Sequence, residues 1–332
     1  MENQVSIPEN GVLKNHHDFF QEKKSQRRKP FIESNTIEVE LSHLETDCII
    51  PVFAKDNERT ISHQEFIEVS IEAVSKVLQG FSIEEPEIRV SHQIKGRVPE
   101  AIHKSAKDLL EREKTIYYER MAFVARIPSL FDSIGGNDLE LSFGGVRSYN
   151  LENLYQKKGK EKFKFFIGFQ NKVCCNLCIS TDGYQDELLA YSTGELFKSI
   201  VTLVEAYHAE EQLRRLENFE NVTITESQFA QVVGRCRLYQ HLPKAIKAEV
   251  PLLSLNDGQF NTVVKDFYSD ENFKRDESGE INLWRFYNLL TQANKTSYID
   301  TFLGRNVNAL LLSQGIQEAL EIPSSKYNWY LS

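Results

Sequence analysis

The chain has 332 residues, 41% hydrophobic and 26% charged, a globular balance that excludes a wholly disordered protein. With 48 acids against 39 bases the net charge is -9, which excludes a uniformly basic nucleic-acid coat but not a local basic patch. Length favours about two domains and a core that needs neither disulfides nor metal.

Residues 1–30 read as a flexible tail. Outside Val12-Leu13 and Phe19-Phe20 it has no apolar pattern, and it ends in Lys23-Lys24-Ser25-Gln26-Arg27-Arg28-Lys29 before Pro30. It lacks the apolar centre of a secretory signal, and no apolar run approaches the ~20 residues that span a bilayer. Five cysteines, an odd number, do not suit a disulfide framework. The expectation is a cytoplasmic protein with reduced thiols and no membrane partner.

Thr36–Leu41 alternates polar and apolar residues and predicts a half-buried strand; Cys48–Phe53 predicts another, with Pro51 at an edge or end. Ser62-His63-Gln64-Glu65 is a capping box opening a helix whose Ile67, Ile71, Val74 and Leu78 share a face and which stops at Gly80. Ile88, Val90, His92 and Ile94 fall on one face of a strand, and a helix is expected over Lys104–Glu113. Ile116–Ile127 predicts a strand ended by Pro128. A turn at Gly135-Gly136-Asn137 leads into Asp138–Tyr149, followed by strands over Phe163–Phe169 and Val173–Ser180.

Near residue 193 the period changes to about 3.6. One long helix is expected over Glu195–Asn218, and Thr225-Glu226-Ser227-Gln228 is a second capping box, opening a helix through Cys236. Asp257-Gly258 precedes the apolar stretch Val263–Tyr268, Asn282 caps Leu283–Leu290, and a last helix covers Tyr298–Leu320. This order predicts an α+β fold: a curved antiparallel sheet with packed helices over residues 31–190, and a helical half over 191–332 packed on the sheet as one unit.

Strong catalytic signatures are missing. There is no phosphate loop, dinucleotide fingerprint, zinc-peptidase helix, nucleophile elbow or kinase set. Cys175 and Cys178 form one C-x-x-C pair, but tetrahedral zinc needs further ligands and the flanks read as strand, so buried structural thiols are expected, with no metal and no cofactor. Lys95-Gly96-Arg97 between His92 and His103 has the groups to hold a phosphate on a turn, although a solvated bend accounts for it. Glu119, Arg120 and Asp132 carry little information alone, and core packing accounts for Trp284, Tyr287 and Asn288.

The most informative surface is residues 147–172, with seven bases, Arg147, Lys157, Lys158, Lys160, Lys162, Lys164 and Lys172, against Glu152 and Glu161. Lysines hold phosphate and aromatic rings stack on unpaired bases, so this segment is the candidate site for single-stranded nucleic acid. In Lys162-Phe163-Lys164-Phe165, however, alternation puts lysines and phenylalanines on opposite faces. Arg235 and Tyr239, four apart on a helix, form a smaller candidate patch. Outside the tail and the basic segment the chain carries -16, which suits docking of a basic protein partner.

The stretches Pro30–Thr36, Ile50–Phe53, Thr115–Phe123, Ile167–Cys174 and Trp284–Leu289 together resemble a bacterial family catalogued as domain of unknown function 3871. The resemblance covers residues 30–332 and implies no established reaction. More loosely, Gly168–Cys178 followed by the Tyr287-Asn288-Leu289 helix is similar to phage- and plasmid-associated proteins, which implies a mobile-element role near DNA. Three functions follow as expectations: a mobile-element protein binding single-stranded nucleic acid through the basic segment; a scaffold or inhibitor docking a host or element-encoded protein on an acidic helical surface; and an enzyme with a dispersed site.

Overall fold

The computed structural model describes residues 29–48, 60–149 and 159–332. The tail up to Arg28, most of the expected Cys48–Phe53 strand, and Lys157 and Lys158 lie outside the described residues. The chain is α+β, with a curled antiparallel sheet in its N-terminal half and helices in its C-terminal half.

In chain order, β1 (Ile37–Val39) and α1 (Leu41–Thr46) lead to α2 (His63–Val77), β2 (Glu87–Val90), β3 (Gln93–Arg97) and β4 (Lys114–Tyr118). Then come β5 (Arg120–Ile134), β6 (Asn137–Ser148), β7 (Glu161–Asn171), β8 (Leu177–Cys178) and β9 (Tyr184–Ala190). The main sheet runs β1-β2-β5-β6-β7; β8 pairs with the C-terminal end of β7 and β9 with its N-terminal end. β3 and β4 form a separate two-stranded ladder. Ser62 and Glu65 close the expected capping box on α2. Gly135 and Gly136, at φ +58 and +71, supply the left-handed pair that a tight β5–β6 turn requires.

Several expected elements differ. The strand through Ile88–Ile94 is two strands, because the chain leaves the main sheet at Ser91: Val90 pairs with Met121, whereas Ile94 pairs with Tyr117. β5 does not stop at Pro128. It shifts register between Ile127 and Phe131, so the residue without an N–H falls in an irregularity rather than in the ladder. Residues 104–113 form no α-helix; this exposed stretch has no apolar face to bury, and it ends in a single 3-10 turn at Glu111–Glu113. The Val173–Ser180 strand shrinks to β8 because the Asn171 side chain accepts the N–H groups of Val173 (2.9 Å) and Cys174 (3.3 Å), and Cys175 turns through φ 57.

The expected Glu195–Asn218 helix is α3 (Thr193–Ala206) and α4 (Ala209–Asn218). Tyr207 takes an extended conformation between them, buries its ring and hydrogen-bonds Gln212, while the His208 N–H donates to Asp182 at 3.2 Å. β10 (Thr223–Ile224), α5 (Glu226–Tyr239), α6 (Lys244–Lys247), α7 (Asp257–Ser269), β11 (Ile281–Asn282), α8 (Leu283–Asn294) and α9 (Ile299–Glu321) complete the described chain. Thr225 and Asn282 cap α5 and α8 as their sequences predict.

The pleat divides the interior in two. Met121, Phe123, Phe143, Phe163, Phe165 and Ile167 face the large core, where α2 and α3 lie on the sheet and Phe66 meets Phe123 edge-on at 5.5 Å. Ala122, Val124, Val146 and Phe166 face the other way, onto a smaller core closed by Ile299, Phe302 and Leu303 of α9. Further along, Leu310, Leu312 and Ile316 of the same helix enter the large core, so α9 ties the second sheet face to the helical half. Both sheet faces are therefore covered at the centre, which explains the near-continuous apolar burial of β5 and β7.

Gly144 marks a tight approach between neighbouring strands. A Cβ there would overlap the Phe123 carbonyl of the neighbouring strand. Gly144→Ala is expected to lower unfolding stability by about 3 kcal/mol, at the upper end of overpacking costs. Gly136→Ala, in open space at positive φ, should cost about 1–2 kcal/mol. Urea denaturation of the two variants checks that order.

Candidate functional site

The described residues of the basic segment lie at the end of β6, along β7 and just beyond the ends of β7. Alternation along β7 sends Phe163 and Phe165 into the large core and Lys162 and Lys164 to the opposite face, as the sequence predicts. The lysines do not stand as bare charges. Lys162 pairs with Glu187 at 3.1 Å and Lys164 with Asp186 at 2.7 Å, both acids from β9. Lys172 pairs with the buried Glu140 at 3.1 Å. Lys160 lies over the ring of Tyr191, an exposed aromatic at the outer end of β9.

Two expected contact residues lie in the interior. Arg147 is fully buried, and Tyr239 is 2% exposed. Neither can reach a nucleic acid on the surface. Arg235 bonds the Ser332 carbonyl and covers the Trp329 ring at 5.2 Å, so it anchors the C-terminal turn. It shares no open stacking face with Tyr239, which meets Trp329 edge-on from inside. The acid count also moves: residues 191–332 hold 18 acids and 14 bases, so the acidic excess outside the basic segment lies mainly in the sheet half rather than in a helical surface.

What the fold builds on the lysine face is a groove of about 160 Å³, lined by Val146, Ser148, Lys162, Lys164, Asp186 and Glu187. β9 is irregular here, with its register shifting between Phe163 and Phe165, which leaves Asp186 and Glu187 over the lysines at an outer strand of the sheet. Charges and a bulge at such an edge disfavour pairing with another strand. From α9, Asp300 pairs with Arg120 at 2.7 Å and accepts the Ser148 hydroxyl. Hydrogen bonds from Lys164 and Tyr184 hold the Asp186 carboxyl below the usual range against the opposing effect of its burial, so it is a settled anion near neutral pH.

On the large-core side of the same strands lies a buried polar centre. Arg147 pairs with Glu161 and stacks over Phe163 (4.2 Å) and Tyr149 (4.9 Å). Glu161 also accepts the Ile61 N–H at 3.1 Å. Burial raises the Glu161 pKa, and Arg147 opposes that rise. His63, in the first turn of α2, stacks on Tyr149 at 4.3 Å and has its Nε2 2.8 Å from the Tyr118 carbonyl. Burial, reinforced by Arg147, pushes His63 down to about 3, so it is neutral and Nε2 donates that bond. Nearby, His43 bridges Asp47 (2.8 Å) and the Tyr118 hydroxyl (3.0 Å), fastening α1 to β4. Burial, with Cys48 and Asp47 adding to it, raises the Tyr118 pKa, so the line Asp47–His43–Tyr118 works as a clamp rather than as an activated phenolate.

Burial holds four of the five thiols in the protonated form. Burial pushes Cys48 and Cys174 up to about 11, and it pushes Cys178 and Cys236 higher still. Lys295, 2% exposed, donates to the Cys174 carbonyl, and burial lowers its pKa. Among the described residues no cluster of His, Cys, Asp or Glu is placed to hold a metal ion, and no helix is long and apolar enough to cross a membrane. Sequence reasoning missed His63, Glu161 and the acids of β9 as partners of the basic segment. The polar run Gln185-Asp186-Glu187 shows no period of two, so nothing local marks β9 as the strand that brings acids to the lysines.

No curated protein and no solved structure matches the chain. Residues 18–331 match the family described as "Domain of unknown function, B. Theta Gene description (DUF3871)". That match spans nearly all of the sequence and agrees with the resemblance carried by Pro30–Thr36, Thr115–Phe123 and Trp284–Leu289: the protein belongs to the DUF3871 family.

Proposed function

We propose that the protein acts by binding, and that its principal ligand is a protein segment of mixed charge seated in the β6–β7–β9 groove. The observation that carries this reading is the alternation of opposite charges there, Lys162 with Glu187 and Lys164 with Asp186. A phosphate backbone would meet a carboxylate beside each of these lysines, whereas a peptide bearing both signs can match each pair. Exposed pairs of this kind are worth about 0–1 kcal/mol, so an incoming partner exchanges them at small cost.

A second reading keeps single-stranded nucleic acid. It is favoured by Lys160, which lies over the exposed Tyr191 ring and is separated from Lys157 and Lys158 by Gly159 alone. Basic and aromatic groups so combined suit a backbone and an unpaired base. Both readings accommodate a cytoplasmic accessory protein of a mobile element, a setting that rests on the looser sequence likeness alone.

One variant pair separates the readings. Lys164→Asp with Asp186→Lys reverses the pair and conserves net charge, so the first reading expects loss of partner recovery in cross-linking from lysate, with recovery by the unaltered chain insensitive to nuclease. Lys157→Glu with Lys158→Glu and Lys160→Glu should leave that recovery intact. If nuclease abolishes recovery and only the triple variant fails, the nucleic-acid reading holds and the first is wrong.

A further inference from the structure

Two parts of the helical half share one design. α4 and α5 are joined through β10, α7 and α8 through β11, and the two short strands pair antiparallel with Ile224 opposite Ile281. Each isoleucine is followed at once by a helix N-cap: Thr225 accepts the Gln228 N–H, and Asn282 accepts the Arg285 N–H at 2.9 Å. The units pack on one another, with Phe229 of α5 stacked on Phe267 of α7 at 3.9 Å and edge-on to Phe286 of α8.

The second connection has a recognisable frame. Gly279 turns the chain at φ +91, two residues before Ile281. A calcium-binding EF-hand loop has its glycine at the sixth of twelve positions, acidic or amide ligands at the first, third and fifth, and a bidentate glutamate at the twelfth. Counting Gly279 as sixth makes Lys274 first, Asp276 third, Ser278 fifth and Arg285 twelfth. The same count through Ile224 puts Gln228 at the twelfth position of the first unit. Neither loop has the glutamate, and the second has bases at both ends of the ligand set.

Of these, Arg285 spans the loop. Nη1 of Arg285 donates to the Lys274 carbonyl at 3.3 Å, tying the twelfth position to the first as a bound cation does. Asp276 turns inward, accepting the Ser278 hydroxyl at 2.7 Å and the Glu280 N–H at 2.9 Å. Across the pair, Arg275 lies 3.7 Å from Glu226 of α5 and stacks on Tyr268, whose hydroxyl donates to the same Glu226 at 2.6 Å. We propose that α4–β10–α5 and α7–β11–α8 are a paired helix–loop–helix of EF-hand geometry in which the Arg285 guanidinium stands in for the metal. The device holds these helices in one arrangement without a divalent cation, so the helical half is fixed rather than calcium-switched.

Thermal unfolding of the unaltered full chain should give the same Tm in millimolar calcium and in EDTA; a rise in calcium overturns the proposal. Lys274→Asp with Arg285→Glu returns carboxylates to the first and twelfth positions. That variant is expected to gain terbium luminescence sensitised by Trp284, quenched by calcium, and a calcium-dependent rise in Tm. A folded variant that takes up no terbium shows that the loop lacks this geometry. Should it fail to fold, Arg285→Lys and Arg285→Gln decide: retention of Tm by the lysine variant alone supports the substituting cation, and equal loss in both refutes it.

Discussion

Arg147→Met is expected to destabilise the protein by about 3–5 kcal/mol, because it leaves the Glu161 carboxylate in the interior without its main counter-charge. The same substitution with Glu161→Gln should recover most of the loss, since no charge then remains to be desolvated and the amide oxygen still accepts the Ile61 N–H. A double-mutant cycle by urea denaturation measures this. If the single effects simply add, the two side chains are not coupled and the buried pair is not what holds this corner of the sheet. Partner recovery by any folded variant should be unchanged, because the pair lies on the large-core side of strands whose other face bears the groove.

Acid is expected to destabilise the fold through His63. Its pKa is near 6.5 when exposed and is pushed down to about 3 in the folded chain, first by burial and then by Arg147. Between those values the unfolded state binds a proton that the folded state does not. The stability contributed by neutral His63 is therefore complete above pH 6.5 and is lost as pH falls toward 3, at up to about 1.4 kcal/mol per pH unit. His63→Gln removes the titration while an amide N–H can still reach the Tyr118 carbonyl. Its stability should be lower at neutral pH but flatter across that window. Parallel slopes for the variant and the unaltered chain would falsify the assignment to His63.

How much of this was legible before folding depended on range. The capping boxes at Ser62 and Thr225, the cap at Asn282 and the turn at Gly135-Gly136 involve partners at most four residues apart, so their chemistry is complete in the sequence. The alternation in Lys162–Phe165 likewise separated lysines from core phenylalanines, because a strand's pleat has period two whatever it packs on. The break at Tyr207 was not visible: a helix period runs through it, and only the distant Asp182 carboxylate and the buried setting of its ring favour the interruption. Pro128 ended a strand on local grounds, yet a register shift against β6 accommodated it.

The sequence by itself determined the α+β class, most helix starts, and which face of β7 carries charge, since each follows from short-range sterics, capping and periodicity. Only the tertiary structure decided what those charges are worth. Arg147 is one basic residue among seven within residues 147–172, but in space it is half of an interior ion pair. Lys162 and Lys164 count as bases in a tally, but β9 brings a carboxylate to each. Coulomb energy and desolvation depend on separation and burial in three dimensions, and residues 14 to 25 positions apart have no separation until the sheet forms.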